Sequence, residues 1–159
     1  MISDGELALP NLIRSAIGGD GQVKHILDWW HISMRVQHVE AAVQGLVQIP
    51  GFTGISVLFQ PPAKSLRWWL WHGRARVAET YLKGLIHDCT RLEEEPLAVR
   101  TAAARVRARC ETLYTYLANN MESLVDYGRR YRNGRLCCTN PVRDSSRESS
   151  VVAGMHEQT

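Results

Sequence analysis

The sequence has little lysine, little phenylalanine and no long apolar run. Lys24, Lys64 and Lys83 are its only lysines among 19 basic residues, and it has two phenylalanines. No stretch approaches the roughly 20 apolar residues that a membrane-spanning helix needs. The opening MISDGELALP carries acids, unlike a secretory signal. We therefore expect a soluble, cytoplasmic protein without a membrane partner.

Paired cysteine motifs are also missing. The four cysteines form no C-x-x-C pair, and the adjacent Cys137 and Cys138 are poorly spaced for a structural zinc site. The three histidines at positions 25, 31 and 38 do not form a zinc spacing either. We expect free thiols, as is usual in a reducing cytosol.

Arginine dominates the basic residues. Its planar guanidinium donates two hydrogen bonds at once to a phosphate, which agrees with a nucleic-acid partner. The net charge of +3 is mild, however. A charge this small cannot by itself supply strong nonspecific DNA binding.

The hydrophobic spacing predicts a mainly helical chain with one strand. Two prolines after residue 60 are expected to close an irregular connector, and a continuous helix with Gly73 and Val77 on its buried face is expected to follow. Asn133–Gly134 should form a turn before a weakly ordered tail. The predicted elements are a short helix at 6–17, a strand at 23–27, a helix at about 33–48, a long helix from 64 to about 92, and a second, antiparallel long helix reaching about 124.

The strand at 23–27 poses a problem, because no partner for it is evident in the sequence. A buried strand with unpaired backbone groups is costly. We expect the missing partner to belong to a sheet outside this chain.

Two short stretches contain candidate catalytic residues. Asp4 precedes Gly5, and its more common role would be to cap the helix at 6–17; the alternative is a metal-binding carboxylate at a strand end. In DWWH, Asp28 and His31 lie where the strand passes into the helix, a position that often carries chemistry in α/β proteins. The simpler interpretation is a turn whose tryptophans fill the core while Asp28 hydrogen-bonds His31.

Two stretches rich in arginine and aromatic residues are candidates for DNA contact. LRWWLWHGR places Arg67 and Arg74 beside three tryptophans, which could stack on bases or form a helix contact. DYGRRYRNGR gathers Arg129, Arg130 and Arg132 near a helix end. A solvated helix end and a phosphate-binding patch both fit that pattern.

Together, the stretches SDG, HILDWWHISMRVQHVE, LRWWLWHGRA, YLANN and DYGRRYRNG resemble the C-terminal half of bacterial insertion-sequence transposases with an RNase H-like, DDE-type catalytic domain. The resemblance spans approximately residues 2–134, in order. In such enzymes three carboxylates bind two divalent metals, which activate the attacking oxygen and stabilise the leaving one. The resemblance implies Mg²⁺ or Mn²⁺ in the intact parent enzyme; whether this chain alone binds either ion stays open.

Carried over by position, Asp4 corresponds to the second catalytic carboxylate and metal ligand. Asp28 and His31 correspond to the supporting motif that follows it. Glu148 corresponds to the third acid, but Val152 replaces the asparagine of the family pattern and the basic helix beyond it is absent. The first acid is missing and would precede Met1.

The resemblance therefore implies a partial RNase H-like fold, mainly α with a small α/β remnant. Its parts would be a catalytic-core fragment at 1–50, a helical insertion at 64–134 and a disordered or out-of-frame tail at 135–159. The expected function is that of a truncated transposase, inactive alone, whose parent cleaves and joins DNA at transposon ends. Expected partners are DNA, a second copy or a full-length transposase. The alternative is a small helical nucleic-acid-binding or regulatory protein without catalysis.

Overall fold

The computed structural model describes residues 1–5, 24–50, 52 and 56–139, with backbone alone for 56–62. The chain is mainly helical with a small parallel sheet, so that much of the expected fold class is confirmed. The expected helix at 6–17, residue 23 of the strand, and residues 140–159 lie outside the described residues. The elements are β1 (Ile2–Ser3), β2 (Ile26–Leu27), α1 (Trp29–Val47), α2 (Ser56–Trp71), α3 (Ala75–Thr90), α4 (Leu97–Asn119), a 3₁₀ turn (Met121–Ser123) and α5 (Tyr127–Arg132).

Strand β2, which corresponds to the strand predicted at 23–27, has a pairing partner within the chain. β1 and β2 pair in parallel, with Ile2 opposite Ile26 and Ser3 opposite Leu27. The amide of Asp28 donates to the carbonyl of Ser3 at 2.7 Å, which extends the pairing past Leu27. The expectation that a partner must come from outside was wrong, because two residues near the amino terminus suffice to satisfy so short a strand.

Helix α1 begins earlier than the apolar spacing indicated. Asp28 is its N-cap, and Trp29 and Trp30 are already helical. The buried face of the helix is the predicted one, with Ile32, Val36, Val39, Val43 and Leu46 inside. DWWH is thus a cap followed by the first turn of the helix, so His31 does not lie in a turn.

Helix α2 runs through the two prolines expected to exclude it. It starts at Ser56 and includes Pro61 and Pro62. Proline's fixed φ of about −65° is compatible with a helix, so the residues cost intrahelical hydrogen bonds without preventing the conformation. The prediction of an irregular connector up to residue 62 was therefore wrong from Ser56 onward.

The long helix predicted from residue 64 is in fact two helices. Gly73 has a φ of +70°, a left-handed value that ends α2, and α3 starts at Ala75. Gly73 itself is exposed, and Val77 is 45% exposed. Because the break resets the helical phase, the buried face of α3 is formed instead by Ala75, Ala78, Leu82, Leu85 and Cys89.

Helix α4 forms the centre of the helical packing. It makes its most extensive contacts with α3 and then with α1. The apolar spacing from Val99 to Leu117 gives buried residues as predicted, but the helix ends at Asn119 and does not reach residue 124 as expected. The segments 1–50 and 64–134 contribute to one contiguous apolar core, including Ile32 from the first and Leu113 from the second.

The beginning of the expected tail packs against this core. Cys137 and Cys138 are buried, and the carbonyl of Cys137 accepts from the amide of Trp29 at 3.0 Å. Cys89 and Cys110 are buried thiols that form no disulfide. Within the described part of the chain, no helix is long and apolar enough to cross a bilayer.

Candidate nucleic-acid interface and carboxylate edge

Asp4 and Asp28 follow directly after the two paired strands. Ser3 and Leu27 are register partners, so each aspartate comes one residue beyond a paired position. The carboxyl ends of parallel strands meet at one edge of a sheet, the usual place for chemistry in α/β folds. The fold therefore brings both sequence-predicted positions to the same edge.

The Asp28 carboxylate has a structural role. It is 2% exposed. Its Oδ1 accepts from the Trp30 amide at 2.8 Å. Its Oδ2 accepts from Thr139, from the amide at 3.1 Å and the hydroxyl at 2.6 Å. Asp28 thus caps α1 and anchors residues 137–139.

His31 takes no part in this network. Its ring packs edge-on against Trp30, with centroids 4.8 Å apart. Within the described residues, no hydrogen bond links it to Asp28, so the expected Asp–His hydrogen bond was wrong. The oxygens of Asp28 are used instead for the helix cap and for the bonds from Thr139.

Asp4 is exposed, while its backbone is held in place. Its carbonyl accepts from the hydroxyl of Tyr116 at 2.9 Å. Gly5 follows with a φ of +95°, and a Cβ placed there would lie 3.1 Å from both Leu27 and Tyr116. Glycine at this position therefore lets the chain pass close to α4 while the Asp4 side chain stays in solvent.

A histidine joins the two strands to the 3₁₀ turn. His25 Nε2 lies 2.7 Å from the hydroxyl oxygen of Ser3. Its Nδ1 lies 2.7 Å from the hydroxyl oxygen of Ser123. The sequence offered no signal for this contact, because Ser3 and Ser123 are far apart along the chain and serine is common.

The described residues at this edge do not form a magnesium site. Mg²⁺ prefers several hard oxygen ligands. Asp4 offers one exposed carboxylate, and the oxygens of Asp28 are engaged. Among the described residues, no group of three or more acids, histidines or cysteines is placed to hold a metal. Glu148 lies outside the described residues.

Aromatic side chains connect α1, α2 and α5. Trp29 packs against Trp71 and Tyr127, with centroids 4.8 and 5.0 Å away. The buried hydroxyl of Tyr127 donates to the carbonyl of Leu27 at 3.1 Å. Trp29 thus fills the core, as the simpler interpretation of DWWH predicted, and Trp71 does so within LRWWLWHGR.

The arginines of LRWWLWHGR contact their own protein. Arg67 forms an ion pair with Glu40 of α1 at 2.8 Å, and both side chains are about one quarter exposed. Arg74 lies 4.7 Å from the ring centroid of Trp68. His72, 4.6 Å from that same ring, has a lowered pKa, chiefly through partial burial. These residues fix the junction of α2 and α3, and Arg74 remains exposed.

Three of the four arginines of DYGRRYRNGR lie on α5, namely Arg129, Arg130 and Arg132, and Arg135 follows the helix. Arg129 and Arg132 are exposed. Arg130 is half-buried and donates through Nε and Nη2 to the carbonyl of Leu136, at 3.3 and 3.0 Å. Arg129 and Arg130 line a surface groove of about 430 Å³ together with Lys24 and Arg135. Sequence reasoning missed Lys24 as a member of this groove, whereas Arg135 belongs to the stretch DYGRRYRNGR.

In comparisons with known proteins, no family model, no curated protein and no solved structure matches this chain.

Proposed function

We propose that this chain is part of the RNase H-like catalytic domain of a DDE-type insertion-sequence transposase. Asp4 would be one metal-binding carboxylate of that domain, and the helices from α2 onward would be its helical insertion. The parent reaction would be metal-dependent cleavage and joining of DNA. The chain would bind DNA but not cleave it alone.

The observation that carries the proposal is the parallel pairing of β1 with β2. It supports the proposal because Asp4 follows a paired strand and is exposed at the carboxyl edge of a parallel sheet, where ligands bind in open α/β folds. The alternative role of Asp4 as a helix cap concerns residues 6–17, which lie outside the described part of the chain.

Asp28 receives a different role from the one its sequence position implied. A buried carboxylate with three hydrogen bonds is a support that holds the strand end, the helix start and residue 139 together. In this proposal Asp28 preserves the shape of the edge, and Asp4 supplies the metal-facing oxygen. His31 contributes packing against Trp30.

Inactivity follows from the number of carboxylates. A two-metal reaction needs several acidic ligands around both ions, and the described edge presents Asp4 alone. We expect supercoiled plasmid incubated with the purified chain and Mg²⁺ or Mn²⁺ to remain intact. Nicking that disappears in an Asp4→Asn variant would overturn the inactivity and identify a complete site.

The ancestry is tested by the DNA that flanks the reading frame. Translating all three frames should show a strand ending in aspartate upstream and a Glu-Ser-x-Val-Asn-like stretch downstream in another frame. Flanking DNA that lacks both features would refute the transposase proposal.

A second candidate function is a helical nucleic-acid-binding or regulatory protein. The structural use of Asp28 favours it, because the edge is then stabilised without serving catalysis. A regulator would pair with a full-length transposase and lower its transposition frequency when both are expressed. If the transposition frequency does not change while the chain still binds DNA, the regulatory role is excluded and the role of a nucleic-acid-binding module remains.

A further inference from the structure

The groove beside α5 collects positive charge from three separate stretches of chain. Lys24 precedes β2, Arg129 and Arg130 lie on α5, and Arg135 follows the turn at Gly134. Proximity in sequence explains Arg129 and Arg130, but only the fold adds Lys24. The cluster is therefore a product of tertiary structure.

The positive charge of the groove is largely unopposed. Asp126 is the one acid among its described lining residues, and its Oδ1 caps α5 by accepting from the Arg129 amide at 2.7 Å. Four cations against one carboxylate leave the groove at +3, which equals the net charge of the whole chain. This excess of positive charge attracts anions to the groove.

One of these cations is held in position. Two nitrogens of Arg130 donate to the Leu136 carbonyl, which fixes the plane of the guanidinium. An arginine positioned in advance loses less side-chain entropy when it binds a phosphate. Leu124 and Val125 supply an apolar part of the same lining, suited to a sugar or a base.

We propose that this groove binds one nucleotide unit of single-stranded DNA. Its phosphate would lie among the four cations of the groove, Lys24 included, and its sugar and base would pack against Leu124 and Val125. The volume of about 430 Å³ falls within the range of about 300–1,000 Å³ that is usual for small-molecule sites. A duplex offers no projecting nucleotide to fill such a concavity. The choice of DNA over another anionic polymer rests on the proposed function.

The test measures the affinity of the full chain for a fluorescein-labelled oligothymidine of fifteen nucleotides. Binding is monitored by fluorescence anisotropy at a series of salt concentrations. The double variant Lys24→Ala/Arg135→Ala should weaken binding about tenfold or more. Each lost phosphate contact should flatten the dependence of log affinity on log salt by about 0.7. The matched control is Arg105→Ala/Arg109→Ala, which removes the same charge from exposed positions of α4 and should change affinity less than threefold.

Three results would overturn the inference. Equal losses in the two double variants would show that net charge alone is responsible. Tighter groove-dependent binding of a duplex or of oligouridine would exclude single-stranded DNA as the ligand. An unaffected Lys24→Ala/Arg135→Ala variant would exclude the groove. The flanking DNA could refute the transposase proposal while binding still depends on the groove. In that case the groove inference stands, and the second candidate function, a nucleic-acid-binding protein, is favoured.

Discussion

The carboxylate of Asp28 accepts a 2.6 Å hydrogen bond from the hydroxyl of Thr139, a residue 111 positions further along the chain. The same carboxylate caps α1 through the Trp30 amide. A single buried side chain therefore fixes the start of a helix and the far end of the described chain. This bond makes residues 137–139 part of the fold.

Replacing Asp28 should destabilise the protein. Asp28→Ala removes a helix cap and both bonds from Thr139, so we expect the free energy of unfolding to fall by on the order of 2 kcal/mol. Urea denaturation followed by far-ultraviolet circular dichroism measures the loss. Glu94→Ala is the control at an exposed carboxylate and should change stability by less than about 0.5 kcal/mol. Equal effects at both positions would contradict the structural role of Asp28.

Gly128→Ala should destabilise the packing between α5 and α2. A Cβ at this position would lie 2.7 Å from Nε1 of the buried Trp71 ring, closer than carbon and nitrogen can approach. We expect a loss of about 1–3 kcal/mol, as for other overpacked cores. Gly84→Ala is the control, because no atom lies within 4 Å of its added methyl group. That substitution should stabilise α3 by about 0.5–1 kcal/mol, and a similar gain at Gly128 would show that the packing is loose.

Tyr127→Phe should weaken the attachment of α5 to the sheet. The substitution leaves the buried carbonyl of Leu27 without its donor at 3.1 Å, and we expect a loss of about 1–2 kcal/mol. Thermal unfolding of the variant and the parent chain measures this loss in the free energy of unfolding. Tyr81→Phe is the matched control, because the buried hydroxyl of Tyr81 has no hydrogen-bond partner among the described residues, and it should be close to neutral. A neutral Tyr127→Phe would mean that the hydroxyl bond contributes nothing net.

Stability should fall at alkaline pH. Burial raises the pKa of Cys89 from 9.0 to about 11 and that of Cys110 from 9.0 to about 12. It also raises the pKa of Tyr116 from 10.0 to about 12. The fold favours the protonated forms, so their contribution is complete below pH 9 and is lost as pH rises from 9 to 12. Denaturant unfolding at intervals from pH 8 to 11 should show a declining midpoint.

A Cys110→Ala variant separates the thiol from the other groups. It should be less stable at pH 8, since a buried side chain is truncated, but its stability should decline less steeply above pH 9. A decline as steep as that of the parent chain would assign the effect to groups other than Cys110.

The helical periodicities could be predicted because they depend on local spacing. The buried faces of α1 and α4 follow from apolar residues that recur at three- and four-residue intervals: Ile32, Val36 and Val39 in α1, and Val106, Cys110 and Leu113 in α4. The break at Gly73 was missed because Leu70, three residues before it, and Val77, four residues after it, continue a helical apolar spacing. Glycine itself is compatible with a continuous helix and with a break. The pairing of β1 was missed because a strand of two residues carries no periodicity.

The candidate site was predicted in part for the same reason. Local sequence places Asp4 and Asp28 after apolar residues, which suggested strand ends. It cannot tell which carboxylate is buried, because that depends on Thr139, far along the chain. Lys24 joins Arg129 and Arg130 in a groove only once β2 and α5 are packed together.

The sequence by itself determined that the protein is mainly helical, that its cysteines form no paired motif, and which faces of α1 and α4 are buried. These properties follow from composition and short-range spacing. Tertiary structure alone decided that Asp28 is a support, that Asp4 stays in solvent, and that the basic groove exists. Each of those outcomes depends on contacts between distant residues, whose free energies are realised only when the helices pack around the core.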